Sequence, residues 1–160
     1  MTRTAAREIA VQLIFESLAQ PGLEVQALET FFDGDYYETL KDVDALYADY
    51  PDETQLGYIR SLVTGVAQTR EQLDGYIEKY ARGWKLGRIS RISVAILRCC
   101  MYEILYLPEV PNAAAINEAV ELAKGYEEPE TVSFINGILG SFIRGEIEDG
   151  PADADSNTAE

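Results

Sequence analysis

Histidine is missing altogether from this chain of 160 residues. That absence excludes Ser-His and Cys-His catalytic pairs, His-ligated metal centres and a histidine pH switch. Cysteine is nearly absent: Cys99 and Cys100 are adjacent, so they cannot staple distant segments. About 100° apart on a helix, they read as a pair of buried thiols, and a cytoplasmic location fits best. No apolar run approaches the roughly 20 residues that cross a bilayer. The opening, MTRTAAREIAVQLIFESLAQ, has arginines on two early turns and no cleavage-type site, unlike a signal peptide. Glycine-rich phosphate loops, Cys-x-x-Cys pairs, dinucleotide fingerprints and EF-hand spacings are lacking too, so no cofactor and no metal are expected.

Positive charge is scarce: 13 Lys+Arg stand against 28 Asp+Glu, a net charge of -15. Such a balance excludes a uniformly basic nucleic-acid binder and disfavours an anionic membrane surface. The charge is partitioned, however. Residues 24–55 hold ten acids and one Lys, and residues 146–160 hold six acids and no base. These two segments carry the whole -15, and the remainder is neutral. Within that remainder, Lys79 to Met101 contains six bases (Lys79, Arg82, Lys85, Arg88, Arg91, Arg98) and no acid.

What is plentiful is helical periodicity, and at 47% hydrophobic residues the chain can fill a core. Ala5–Leu18 reads as a helix with Thr4 as a candidate cap, stopped by Pro21-Gly22. A shorter helix follows over Leu23–Phe32. Asp33–Thr54 is acidic, contains Gly34 and Pro51, and reads as an insertion or long loop with at most one short helix. Leu56, Ile59, Val63, Val66, Leu73, Ile77 and Tyr80 then predict one amphipathic helix of about seven turns, with Arg70 breaking the register. After a connector at 84–90, Arg91–Leu107 predicts a helix with Ile92, Ile96, Leu97, Cys100, Ile104 and Leu105 inward. Asn112 can cap a helix with Ile116, Val120 and Ala123 on one face, and Thr131 a last one containing Phe134, Ile135, Ile138, Leu139 and Phe142. The expected fold class is all-α, a compact bundle of six or seven helices. Residues 1–145 form one helical domain with the 33–54 insertion, and 146–160 an acidic disordered tail.

Catalysis finds little support. Glu118 and Glu121 sit three apart and Glu127-Glu128 follow, but a solvated face explains them without any pocket. Two basic features say more. Arg3 and Arg7 fall on neighbouring turns at a helix start, and the same stripe continues through Val11 to Phe15. Two guanidiniums and an aromatic make a platform for phosphates and an unpaired base; a solvated helix start with Phe15 in the core is the alternative. The second feature is the acid-free stretch. Helix C-termini favour cations, which explains Lys79 and Arg82 but not Lys85, Arg88 and Arg91. These read either as a solvated face or as a local anion-docking ridge. Arg98, mid-helix among apolar neighbours, reads as an internal ion pair or a hydrogen-bond anchor. Asn117 and Asn136 read as cross-helix hydrogen bonders.

Over roughly residues 3–144 the chain resembles the NusB family of bacterial transcription antitermination factors. The matching blocks are Arg3, Ala6, Arg7 and Glu8 with AVQLIFESL; Trp84 with Arg88-Ile89, AILR and Tyr102-Glu103; and PNAAAINEAVELAK (111–124) followed by FINGIL (134–139). The last two blocks are the specific ones. The resemblance implies an all-helical protein of two three-helix bundles. It implies a non-enzymatic RNA-binding adaptor that binds boxA of nascent rRNA leader transcripts together with NusE, a small-subunit ribosomal protein. Through that pair it would help the RNA polymerase elongation complex resist premature termination. Arg3, Arg7 and Phe15 would then contact single-stranded RNA, Lys85, Arg88 and Arg91 would lie near RNA and NusE, and the helix opening around Ser93 would meet the partner.

The family usually shows consecutive arginines where Thr4 and Ala5 follow Arg3 here, which implies weak RNA affinity without the partner. The acidic insertion and tail depart from the compact family pattern. Two alternatives stand beside this reading, a protein-only helical scaffold and an accessory domain of an rRNA-modifying enzyme. A homodimer is left open, and no membrane partner is expected.

Overall fold

The computed structural model describes residues 1–148, which form eight α-helices and short 3-10 and π-type segments, with no strand among the described residues. Two compact units result, Met1–Arg70 and the residues from Glu71 onward. No helix among the described residues is long and apolar enough to cross a membrane.

In the first unit, α1 (Arg3–Ser17), α2 (Glu24–Phe31) and α4 (Glu53–Gln68) pack against one another pairwise. Their core includes Ile9, Leu13, Ile14, Leu28, Ile59, Leu62 and Val66. Thr2, not Thr4, caps α1, its hydroxyl oxygen accepting from the Ala5 amide at 3.0 Å. The helix therefore starts two residues earlier than expected and includes Arg3. Asp52 and Gln55 form a reciprocal capping box at α4.

The acidic segment before α4 is more ordered than its composition implies. It holds α3 (Gly34–Glu38) and a 3-10 turn at Ala45–Tyr47. Rings of Phe31, Phe32, Tyr37, Tyr47 and Tyr50 pack edge-on or stacked at 5.0–6.2 Å between centroids. Tyr37 is 1% exposed and donates to the Asp49 carbonyl at 2.9 Å. Tyr50 donates to the Phe32 carbonyl at 2.5 Å, and Tyr47 donates to Gln12 of α1. Burial, helped by Tyr47 and Asp49, pushes the Tyr37 phenol up to about 12. The acids remain on the surface while tyrosines nail the segment down.

The single seven-turn helix expected over 56–80 is two. α4 stops at Thr69, whose backbone leaves helical geometry (φ -111°, ψ 19°) and whose hydroxyl donates to the Gly65 carbonyl at 2.7 Å. α5 (Arg70–Tyr80) restarts at once. The three-and-four spacing runs through the break, so apolar periodicity alone cannot reveal it.

In the second unit α6 (Arg91–Tyr106), α7 (Asn112–Lys124) and α8 (Pro129–Phe142) also pack pairwise, completing a second three-helix bundle. α6 is its centre, buried all round from Ser93 to Met101 with both cysteines inside as thiols. α5 is held to α6 by an ion pair between a buried arginine and a half-buried aspartate: Arg98 donates to both carboxylate oxygens of Asp74 at 2.8 and 2.9 Å. α5 meets α8 where Tyr76 packs on Phe142 at 5.1 Å. The inward face of α7 is Ala115, Ala119 and Ala123, which leaves Ile116 and Val120 half-buried at its edge. Small residues face inward there because α7 packs closely on two neighbours. Asn117 and Asn136 are exposed, so neither is an interior anchor. α8 opens on Pro129, whose missing N–H costs nothing at the first helical position, and Thr131 is not its cap.

Beyond α8, Ile143–Glu148 continue as a π-type segment. Glu146, counted above with the acidic tail, is fixed there to α5. The tail over 149–160 lies outside the described residues.

Candidate nucleic-acid interface

The candidate residues divide into two sets, one in each unit. In the first, Arg3 and Arg7 project from adjacent turns of α1 onto one ring. The Arg3 guanidinium stands 3.9 Å from the centroid of Tyr58 on α4, and that of Arg7 stands 5.7 Å away. Their exposure differs sharply. Arg3 is exposed, whereas Arg7 is 6% exposed and Tyr58 likewise 6%. As a direct phosphate contact Arg7 is therefore poorly placed; what it does in this structure is help seat α1 on α4. Arg3, with the positive end of the α1 dipole, remains available to an anion. Phe15 is on the surface, 37% exposed, and not in the core. Eight residues further along α1 than Arg7, it stands about 12 Å away along the axis. Tyr58 was not singled out by the sequence reading, although its place beside Ile59 on the α4 stripe was the available signal.

In the second unit the six bases have three different fates. Arg98 is consumed by Asp74 in the interior. Lys79 is tied to Glu146 at 2.6 Å, with Tyr80 donating to the same carboxylate. Burial pushes the Glu146 carboxyl up, but the hydrogen bonds from Lys79 and Tyr80 outweigh it and hold the group below its ordinary value. The hydrogen bond to Glu146 raises Lys79 in turn. Arg82, Lys85, Arg88 and Arg91 are exposed, and among the described residues none makes a side-chain hydrogen bond or ion pair.

Arg82, Lys85 and Arg88 lie on the connector between α5 and α6, and Arg91 opens α6. Gly83 turns the chain at φ +78°, a left-handed conformation that a side chain would strain, and Trp84 follows it. A 3-10 turn at Leu86–Arg88 leads to Ser90, which caps α6. Trp84 is 51% exposed and its ring lies 5.7 Å from that of Phe134 on α8. Together with Arg88, Ile89, Ser90 and Thr131 these rings line an open cleft of about 390 Å3, with Glu127 and Glu130 on its wall. Glu127 is already engaged, since Ser90 and Ser93 both donate to its carboxylate, Ser93 at 2.5 Å.

That network also corrects the role expected of Ser93. It is 0% exposed, turned inward because α6 is buried on every side, and no partner can touch its side chain. The exposed residues at the α6 opening are Ser90 and Arg91. Lys85 and Arg91 flank the cleft in sequence without lining it; Arg88 does line it. The Trp84–Phe134 pairing joins residues 50 apart in the chain and was not legible as a pair.

The NusB family matches residues 4–144. The chain belongs to the NusB family. A transcription antitermination protein NusB of Acetivibrio thermocellus is 41% identical over 144 residues, covering 90% of each chain. One from Clostridium botulinum strain Kyoto is 34% identical over 144 residues, covering 89% of this chain and all of its own. Among solved structures, a T. maritima NusB superposes with a TM-score of 0.66 at 26% identity, covering 90% of this chain and 92% of that one. The NusB of Aquifex aeolicus, at 19% identity and a TM-score of 0.67, shares the fold. The three blocks quoted from the sequence lie inside the NusB match, apart from Arg3, which stands one residue before it.

Proposed function

We propose that the chain is a non-enzymatic antitermination adaptor of the cytoplasm, binding single-stranded boxA RNA of nascent rRNA transcripts jointly with NusE. The pair would act on the RNA polymerase elongation complex indirectly, by holding the transcript. One observation carries this reading: Arg88 lines a Trp84–Phe134 aromatic cleft, Arg82, Lys85 and Arg91 are close to it in sequence, and none of the four cations has an ion-pair partner among the described residues, in a chain of net charge -15. Cations without internal partners serve phosphates, and an exposed aromatic pair accepts a base face whatever its identity. Arg3 and the start of α1 supply a further anion contact, with Phe15 an aromatic along the same helix. Arg7 supports Arg3 through Tyr58. The acidic remainder discourages indiscriminate binding, so the contact is short and depends on a partner. NusE would meet the exposed opening of α6 at Ser90 and Arg91.

The test is a titration of fluorescent boxA RNA with the protein, with and without NusE, over a range of salt. Four to five phosphate contacts at about -0.7 each predict a log–log salt slope near -3. NusE should tighten binding, and a scrambled RNA should bind more weakly. Binding indifferent to salt, sequence and NusE would overturn the proposal.

A further inference from the structure

The aromatic cleft is a platform and not a slot. A base held between two rings needs about 7 Å of separation, two van der Waals spacings. The Trp84 and Phe134 rings already touch, with 5.7 Å between centroids and a tilt of 56°, the spacing of a direct aromatic pair. A base therefore stacks on the free face of Trp84, which is 51% exposed. How that face is presented depends on the connector carrying it. Among the described residues, no side chain from Arg82 to Ile89 makes a hydrogen bond or ion pair that could fix it.

The connector is fastened at its two ends instead. At the first, Gly83 takes its left-handed turn and the Trp84 amide donates to the Ala81 carbonyl at 2.8 Å. At the second, Ser90 is tied to Glu127, just past the end of α7. The Glu127 backbone is itself held, its amide donating to the Ala123 carbonyl at 2.8 Å. One Glu127 carboxylate oxygen takes both the Ser90 hydroxyl and the Ser93 hydroxyl, the latter at 2.5 Å. The Ser93 amide closes the network by donating to the Ser90 hydroxyl oxygen at 3.2 Å. These charge-assisted bonds join the cap of α6 to the turn that leads into α8, the helix that carries Phe134.

We propose that Glu127 is the positioning residue of the Trp84 platform. By holding Ser90 against the α7–α8 turn, it keeps Trp84 on Phe134 and Arg88 on the cleft wall. Glu127 acts through Ser90 and not by touching a ligand, since its charge repels phosphate. Its charge and its geometry therefore push RNA affinity in opposite directions, which lets them be separated. The positioning stands on the hydrogen bonds and the ring contact; only its consequence for RNA rests on the function proposed above.

Trp84 is the single tryptophan of the chain, so its fluorescence reports the platform with no ligand present. In Glu127→Ala the two serine hydroxyls, 2.9 Å apart, can bond each other; the fold persists while the tie is cut. Acrylamide quenching of Trp84 should then rise about twofold, from a half-covered indole to a free one, and the fast part of its anisotropy decay should grow. Glu127→Gln keeps an oxygen that accepts both hydroxyls and should quench like the unaltered protein. Glu127→Ala should bind boxA RNA about three- to tenfold more weakly, the factor by which the competent population falls. Glu127→Gln should bind at least as tightly as the unaltered protein, because it removes a negative charge from the cleft at unaltered geometry. Unchanged quenching in Glu127→Ala, or an equal rise in both variants, would overturn the positioning. Raised quenching with RNA affinity unaltered would contradict its consequence for RNA. If none of the three proteins binds RNA, the function proposed above fails and Trp84 fluorescence alone decides the positioning.

Discussion

Arg7 on α1 and Arg88 in the connector carry the same side chain in opposite surroundings. Arg7 is 6% exposed against a buried tyrosine, whereas Arg88 is exposed on the wall of an aromatic cleft with no ion-pair partner among the described residues. A buried guanidinium is committed to the fold, because losing its partners leaves an uncompensated charge. An exposed, unpaired one contributes little to stability and keeps its charge for a ligand. The comparison separates arginines that hold the bundles from those left open to a ligand, and each side of it can be attacked.

The largest effect belongs to Arg98. Arg98→Leu strands the Asp74 carboxylate and should cost about 3 kcal/mol of unfolding free energy by urea denaturation. A loss under about 1 kcal/mol would mean that the pair is worth no more than a surface one. Trp84→Ala removes the stacking surface of the cleft and should weaken boxA binding by about 2 kcal/mol at unchanged fold. Arg7→Ala should lower stability by up to about 2 kcal/mol, through lost packing and cation–π contact, and should affect RNA binding less than Arg3→Ala does. If instead the Arg7 variant is stable and binds RNA poorly, the division drawn from burial is wrong. The smallest effect is at Glu146. Its carboxyl is held below 4.5, so its stabilising contribution is complete above that value and is lost as the pH falls through the lowered one. Glu146→Gln should therefore lower the Tm slightly at neutral pH, and the difference should close in acid.

The amino-acid sequence was informative wherever one helix face decided the outcome. The all-α class, the buried thiols and the internal pairing of Arg98 are each consequences of local periodicity, and the structure has them. Legibility failed where a second, distant element mattered. Thr69 ends α4 by a side-chain bond to Gly65 that leaves the apolar spacing untouched. The α7 face is set by how closely its neighbours approach, which turned Ala115 and Ala119 inward in place of Ile116 and Val120. Ser93 sits at a helix opening, yet α6 is enclosed on all sides, so it is interior. The tyrosines between Phe32 and Pro51 follow no period, and their shared packing hides within an acidic segment. Of the candidate site, the cations were visible as an acid-free run. The aromatic cleft was not, because Trp84 and Phe134 meet only in the folded chain.

The central claim is that the unpaired bases at 82–91, not the buried one on α1, carry the electrostatic contact with RNA. The measurement is the salt dependence of boxA binding by the triple variant K85Q/R88Q/R91Q beside the unaltered protein. With stability unchanged within about 0.5 kcal/mol, the log–log slope should become shallower by about 2, three contacts at about 0.7 each. An unaltered slope would place the RNA contact elsewhere and contradict the account.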